Sequence, residues 1–149
     1  DHGGGLKDFP HAEVHVHTQE LAAAREPADD AYFVDDFHGD YRWRLAQGEY
    51  DVAPGVRAIE SPGHTAGHMS LWVELPKGDP ILLCGDAADL VENLDDEVAP
   101  GLCWRERDDL AVASIRKLKH LARATHAVLW PNHDLSFFRT RQPFPEAYT

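Results

Sequence analysis

Between residues 56 and 86, short apolar runs alternate with loops rich in glycine and proline, and this alternation restricts what the chain can fold into. The runs "VRAIES", "HMSLWVEL" and "PILLCGD" are typical of strands, and "PGHTAG" and "PKGD" between them are typical of turns. The run "HAVLW" predicts one more strand, which leads into "PNHD". The sequence therefore predicts a sheet that presents polar side chains at its strand ends.

Residues 105–124 predict an amphipathic helix. Its apolar side chains fall on one stripe at helical spacing: Leu110, Ile115, Leu118 and Leu121. Asp108 and Asp109 lie near its start and cationic residues lie toward its end, which suits the helix dipole. Because such a helix packs its stripe on a sheet, the pattern indicates an α/β fold.

Residues 13–25 predict a separate β-α unit. "EVHVH" alternates apolar and polar side chains as a strand does, and a helix is expected over residues 19–25 with Thr18 as its N-cap. Residues 26–45 show neither the helical nor the strand repeat of apolar residues, and they are rich in aspartate and aromatic residues. We therefore expect a long irregular segment that contains short strands.

Length and charge limit the class of protein. A chain of 149 residues with 43% hydrophobic residues is expected to form one domain around one core. A formal net charge of −12 repels phosphate backbones and anionic lipids, so neither nucleic acid nor a membrane is an expected partner.

Cys84 and Cys103 are not in a C-x-x-C pair, and both are expected to be reduced packing residues. No apolar run is long enough to cross a bilayer, and we expect a soluble, cytoplasmic protein.

The candidate chemistry lies in three histidines and two aspartates at strand ends or in loops: Asp1, His2, His64, Asp86 and His133. Each alone could serve as a cap, a turn residue or a surface residue, and it is their combination and order that favour a site. Imidazole with carboxylate suits Zn²⁺, Mn²⁺ or Fe²⁺ better than Ca²⁺ or Mg²⁺. Because the set contains no thiolate, we expect an open, hydrolytic metal site and not a closed structural one.

The motifs D-H-G-G, P-G-H-T-x-G-H, G-D after an apolar strand and a late loop histidine resemble the metallo-β-lactamase superfamily. The signature of that superfamily opens H-x-H-x-D-H, and Asp1 and His2 are similar to its last two residues. The resemblance implies the metallo-β-lactamase fold, a four-layer αβ/βα sandwich, with mainly its C-terminal half in residues 1–149. It also implies a longer parent chain that supplies the H-x-H pair.

Within the superfamily the chain resembles the N-acyl homoserine lactonases, the quorum-quenching enzymes. The segments "GDAADLVENLDDEV", "LAVASIRKLKHL" and "FPEAYT" carry this resemblance. One position departs from it, because those lactonases have a tyrosine three residues after the bridging aspartate, where this chain has Asp89. A carboxylate cannot donate the hydrogen bond of a phenol, so Asp89 is expected to tune substrate choice and not to hold metal. Arg105 and Arg107 are its candidate partners.

The resemblance implies a role for each residue of the set. Asp1, His2 and His133 would bind one divalent transition-metal ion, His64 would bind a second, and Asp86 would bridge the two. Zinc is the first candidate, with manganese or iron as alternatives. The implied reaction opens a small-molecule lactone or ester through a metal-bound hydroxide. Asp1 is the carboxylate placed to return the proton to the leaving alkoxide.

Two alternatives stay open. The chain could derive from another carbonyl hydrolase of the superfamily, such as a glyoxalase II-like thioesterase. It could also be a non-catalytic fragment that binds at most one metal and leaves one face of its sheet uncovered. The sequence carries no indication of acyl-chain preference or oligomeric state.

The other histidines are expected to be structural or solvated. His15 and His17 imitate an H-x-H pair, but strand alternation explains their spacing. His68 is expected to hold its turn by hydrogen bonding. Packing is the expected role of a group of aromatic residues, some of which could line an acyl pocket: Tyr32, Phe33, Phe37, Tyr41, Trp43 and Trp104.

Overall fold

The structure is a computed structural model that describes residues 3–26, 32, 37, 39–141 and 148. Its contacts divide the chain into two compact units, residues 1–48 and residues 49–149. Asp1 and His2 lie outside the described residues, as do Phe33, His38 and most of the "FPEAYT" segment. The expectation of one partial domain over residues 1–149 stays a prediction.

The first unit contains a parallel β-α-β arrangement. A 3₁₀ helix at Gly3–Asp8 precedes strand β1 (Glu13–His17), helix α1 (Thr18–Ala24) and strand β2 (Arg42–Ala46). β1 and β2 pair in parallel, from Glu13 opposite Arg42 to His17 opposite Ala46. The predicted β-α unit is confirmed. The irregular segment expected after it leads into β2, the strand that pairs with β1.

The N-cap prediction for α1 was wrong by one residue. His17 has extended backbone angles, and its Nδ1 accepts a hydrogen bond from the N–H of Gln19 at 3.2 Å. Thr18 is already the first residue of the helix. The buried ring of His17 thus ends a strand and caps a helix, a role that serine, threonine, aspartate and asparagine fill more often.

The second unit is built on a five-stranded sheet. Its strands are β3 (Tyr50–Ala53), β4 (Val56–Glu60), β5 (Met69–Val73), β6 (Ile81–Leu83) and β7 (Val128–Trp130). They lie in sequence order, antiparallel up to β6, and β7 then pairs with β6 in parallel. The four strands expected after residue 55 are confirmed. β6 and β7 therefore end at the same edge of the sheet.

Helices connect the strands of this unit and cover the sheet. Short segments at Gly85–Ala87, α2 (Val91–Asp96) and Trp104–Glu106 precede the long helix α3 (Asp108–Thr125), and α4 (Leu135–Phe138) follows β7. Ile115 and Leu118 of α3 are fully buried, which confirms the predicted amphipathic helix.

The core of the second unit extends to the edge where β6 ends. Residues from β4, β6, α2 and α3 form one cluster with the start of the segment after β6: Ile59, Leu82, Cys84, Ala87, Ala88, Leu94, Ile115 and Leu118. Because Cys84, Ala87 and Ala88 belong to this cluster, the segment that carries Asp86 is anchored by apolar packing. The position of that aspartate is set by the core.

Both cysteines are free thiols, as expected. Burial raises the pKa of Cys84 to about 12. Burial, together with a hydrogen bond to the Asp108 carboxylate, raises the pKa of Cys103 to about 11. Both thiols are therefore protonated at neutral pH and unreactive as nucleophiles.

None of the helices within the described ranges is both long and apolar enough to cross a membrane. A cytoplasmic location stays a prediction.

Candidate metal centre

The candidate site lies at the carboxyl ends of the two parallel strands, β6 and β7. Asp86 follows β6 and His133 follows β7. The two segments continue to pair beyond the strands, since Asn132 N–H donates to the carbonyl of Ala88 at 3.0 Å and His133 N–H donates to that of Asp89 at 2.8 Å. Adjacent carboxyl ends of parallel strands are a common position for ligand sites in α/β proteins.

Two histidines approach the two oxygens of one buried carboxylate. Asp86 is 5% exposed. His133 Nε2 lies 2.9 Å from Asp86 Oδ1, and His64 Nε2 lies 3.7 Å from Asp86 Oδ2. The structure thus brings together three of the five predicted site residues, and the other two, Asp1 and His2, lie outside the described part of the chain.

The far side of the His64 ring is held by the backbone. Its Nδ1 lies 3.1 Å from the carbonyl oxygen of Leu102, and because a carbonyl only accepts, Nδ1 carries the hydrogen. The other ring nitrogen, Nε2, then faces Asp86. Orientation of one ring nitrogen by a carbonyl is the usual way in which a protein prepares a histidine for a metal.

The loop that carries His64 depends on a glycine. Gly63 has a φ of +146°, and a Cβ atom built there would lie 2.4 Å from the Cα of Ala111. The loop therefore packs directly on the first turns of α3, and Ser114 Oγ donates to the carbonyl of Pro62 at 2.6 Å. A side chain at residue 63 would therefore require the loop or the start of α3 to shift.

His68 holds the backbone of Asp86. Its Nε2 accepts the N–H of Asp86 at 3.1 Å, so Nδ1 carries the hydrogen and faces Ser61, 2.9 Å from Oγ and 3.2 Å from the carbonyl oxygen. Ser61 Oγ lies 2.7 Å from Ser70 Oγ, and Ser70 in turn donates to the carbonyl of Cys84 at 2.8 Å. The hydrogen-bonding role predicted for His68 is confirmed.

The contact between His68 and the backbone of Asp86 requires a glycine at residue 85. Its φ is +58°, and an added Cβ would lie 2.7 Å from His68 Nε2. The G-D sequence after the strand therefore reflects close approach of a histidine ring to the backbone.

Asn132 is a site residue that the sequence did not indicate. Its Nδ2 donates to Asp86 Oδ1 at 2.6 Å and lies 3.2 Å from His133 Nε2. The two residues are 46 positions apart, so only the pairing of β6 with β7 brings the amide to the carboxylate. Its place directly before His133 was the one available signal.

Asp134 fixes the loop on the other side of His133. Its Oδ1 accepts the N–H of Phe137 at 2.8 Å as the N-cap of α4, and its Oδ2 accepts the N–H of Val91 at 3.1 Å. These backbone donors, Phe137 first and then Val91, lower the pKa of the Asp134 carboxyl. The aspartate thus ties the start of α4 to the start of α2.

Asp89 lies in the same group as Asp86 and His133. One ligand atom from each of these three residues lies within 4.8 Å of the other two. Asp89 Oδ2 also accepts the N–H of Gly101 at 3.2 Å. Of its candidate partners, Arg107 pairs instead with Asp109, at 2.7 and 2.9 Å, and the Arg105 guanidinium lies 4.7 Å from the ring centre of Trp104.

The histidines expected to be structural take other positions. His15 Nε2 lies 3.3 Å from Glu13 Oε1 on β1, and His126 ends α3 with left-handed backbone angles. Within the first unit, the rings of Tyr32 and Phe37 lie 6.3 Å apart and those of Tyr41 and Trp43 lie 5.3 Å apart, both edge to face. This is the packing role expected for these aromatic residues.

The donor set fits a divalent transition-metal ion. Two imidazole nitrogens and the oxygens of a buried carboxylate converge, with a further carboxylate nearby, and this is the mixture that Zn²⁺, Mn²⁺ and Fe²⁺ accept. The rings and the Asp86 carboxylate are positioned by backbone and amide groups, so little rearrangement would be needed to bind an ion.

Comparison with known families assigns this chain and its fold to a class. The family model described as the metallo-beta-lactamase superfamily matches residues 1–133, and the chain belongs to that superfamily. It has the metallo-β-lactamase fold, of which it forms about half, as the resemblance implied.

Among characterised relatives, the chain is similar to an N-acyl homoserine lactonase of a Bacillus species, with 33% identity over 146 residues, 98% of this chain and 56% of the relative. It is also 33% identical to the N-acyl homoserine lactonase AttM of Rhizobium johnstonii, of which it covers 60%. The chain thus spans little more than half the length of these relatives.

A solved structure of an N-acyl homoserine lactone hydrolase, with the product N-hexanoyl-L-homoserine bound at its catalytic metal centre, superposes with a TM-score of 0.89. It is 30% identical to this chain, and the match covers 98% of this chain and 56% of the other.

Proposed function

We propose that the protein is a metal-dependent hydrolase that opens the ring of N-acyl homoserine lactones. One observation carries the proposal: histidines from two different loops face the two different oxygens of the buried Asp86 carboxylate. A carboxylate with one imidazole at each oxygen has the geometry of a bridge between two cations. The similarity to lactonases, one of them with a ring-opened product at its metal centre, supports this substrate class.

Two divalent transition-metal ions are the proposed cofactors, with zinc as the first candidate and manganese or iron as alternatives. His133 would hold one ion together with Asp1 and His2, His64 would hold the other, and Asp86 would contact both. When bound, such ions lower the pKa of a water molecule and polarise the carbonyl of an ester, which is the chemistry that lactone hydrolysis needs.

The residues of the chain have separate tasks in this proposal. The Leu102 carbonyl holds the His64 ring with its Nε2 toward the site, and Asn132 holds Asp86 Oδ1. His68 holds the main chain at Asp86, so the carboxylate stays in place as charge develops on the substrate. A water molecule gives one proton to Asp1 as its oxygen adds to the lactone carbonyl carbon, the ring C–O bond breaks, and Asp1 passes that proton to the ring oxygen.

The test is ring opening by the longest natural reading frame that contains the chain. Purified protein loaded with zinc or manganese is given a short-chain and a long-chain acyl homoserine lactone, and the ring-opened acid is measured by mass spectrometry. We expect His133→Ala and Asp86→Ala to remove hydrolysis and bound metal together. His15→Ala, on an alternating strand, is the matched control and should leave both unchanged.

Other substrates separate the alternatives. Faster hydrolysis of a glutathione thioester than of any lactone would favour the glyoxalase II-like thioesterase. Metal binding without hydrolysis of lactone or thioester would contradict a hydrolase altogether.

A further inference from the structure

Asp89 presents a carboxylate to the proposed metal position. Its ligand atom, one from Asp86 and one from His133 lie within 4.8 Å of one another. Two donors at about 2.1 Å from one ion are separated by roughly 3.4 Å when the ion is tetrahedral and by about 4.2 Å when they lie opposite each other. Because no two of these atoms are more than 4.8 Å apart, a rotation of the Asp89 side chain that closes at most about 1.4 Å would bring all three donors to one ion.

Hydrogen bonds fix the backbone of the two segments that carry these donors. The Asp89 carbonyl accepts the His133 N–H at 2.8 Å, and the Ala88 carbonyl accepts the Asn132 N–H at 3.0 Å. These contacts extend the parallel pairing of β6 with β7. The separation of Asp89 from His133 is thus set by the sheet and not by a loose loop.

The charges around Asp89 also favour a cation. Its Oδ2 accepts one neutral N–H, that of Gly101, and the described part of the chain provides no ion pair for its carboxylate. Arg107, which could have neutralised it, is engaged by Asp109. Asp86 and Asp89 therefore place two carboxylates side by side, an arrangement that a divalent ion stabilises.

We propose that Asp89 is a ligand of the ion held by Asp86 and His133. The inference rests on the proposed metal site, and it replaces the expectation that Asp89 only tunes substrate choice. An additional carboxylate makes this metal position richer in oxygen, and oxygen donors suit Mn²⁺ better than nitrogen or sulfur donors do. The position is therefore selective toward Mn²⁺ in comparison with a related site that lacks the carboxylate.

The first test measures Mn²⁺ and Zn²⁺ affinity of the 149-residue chain by competition with a chelator. Asp89→Asn removes the charge but keeps an oxygen for the Gly101 N–H. We expect Mn²⁺ affinity to fall roughly tenfold or more and Zn²⁺ affinity to fall less. Asp89→Glu, which keeps the carboxylate, should retain most of the Mn²⁺ affinity. Asp95→Asn, which removes an equal charge from the exposed face of α2, should change neither affinity.

A second test detects the bond itself. Asp89→Cys is loaded with Co²⁺ under reducing conditions that prevent a disulfide with Cys103. A sulfur-to-cobalt charge-transfer band in the near ultraviolet is expected, and the unchanged chain and Asp95→Cys should lack it.

Unchanged affinities in Asp89→Asn, or no such band in a folded Asp89→Cys variant, would overturn the proposal. Neither readout depends on hydrolysis. A protein that binds Mn²⁺ through Asp89 but opens no lactone would leave this inference standing and contradict only the proposed function.

Discussion

At the scale of single residues, the site depends on groups that hold Asp86 from several directions. His68 takes its backbone N–H, Asn132 takes Oδ1, and the two site histidines face the carboxylate oxygens. A buried carboxylate is costly unless such partners surround it. His68 contributes without facing the metal position, so its effect on folding can be separated from its effect on chemistry.

We expect His68→Ala to lower the free energy of unfolding by about 2–3 kcal/mol. The change leaves the Asp86 N–H and the Ser61 hydroxyl without their ring partner and opens a cavity beneath Gly85. Urea unfolding of the metal-free chain measures the loss. His120→Ala, at an exposed position of α3, is the control and should change stability by less than about 0.5 kcal/mol. Equal stability of the two variants would contradict the role assigned to His68.

At the scale of elements, one acidic residue ties α2 to α3. Glu97 ends α2 with left-handed backbone angles, and its carboxylate pairs with Arg116 at 2.7 Å and with Lys119 at 2.9 Å. Hydrogen bonds from Arg116 and then Lys119 lower the pKa of Glu97 from 4.5 to about 2. α2 directly follows the segment of Asp86 and Asp89, and this pairing attaches the end of α2 to α3.

The lowered pKa of Glu97 predicts a dependence of stability on acid. A carboxyl whose pKa is depressed on folding stabilises the fold above its ordinary value of 4.5, and the contribution is lost as the pH falls toward about 2. Glu97→Gln should therefore be less stable than the unchanged chain near neutral pH. The two urea midpoints should converge as the pH is lowered through this range. A difference that stays constant over the whole range would contradict the assignment.

At the scale of the whole molecule, the site is assembled from three separate loops. One follows β4 and carries His64, one follows β6 and carries Asp86, and one follows β7 and carries His133. Because β7 pairs in parallel with β6, a segment from the end of the chain reaches the edge where the G-D motif lies. In the proposed ligand set, Asp1 and His2 would join the residues of these loops.

This division of ligands predicts a metal stoichiometry. In the proposed assignment, one ion would be held by Asp1, His2, Asp86 and His133, with Asp89 added by the inference above. The other ion would have only His64 and the shared Asp86. The 149-residue chain is therefore expected to hold no more than one ion tightly. A reading frame with H-x-H ending two residues before Asp1 should hold two. Metal analysis after dialysis measures both, and two tightly held ions in the 149-residue chain would show that the ligand assignment is wrong.

The sequence by itself determined part of the elements of this protein and the family to which it belongs. The strands β4 to β7 and helix α3 follow from short-range patterns of apolar residues, and the motifs around His64, Asp86 and His133 identify a metal-binding superfamily. Only the tertiary structure decided that His17 caps α1, that Asn132 donates to Asp86, and that Asp89 lies beside His133. The last two depend on contacts more than 40 positions apart in the chain. Such contacts exist because β6 and β7 pair in parallel and in one register, a property of the folded sheet that no local pattern encodes.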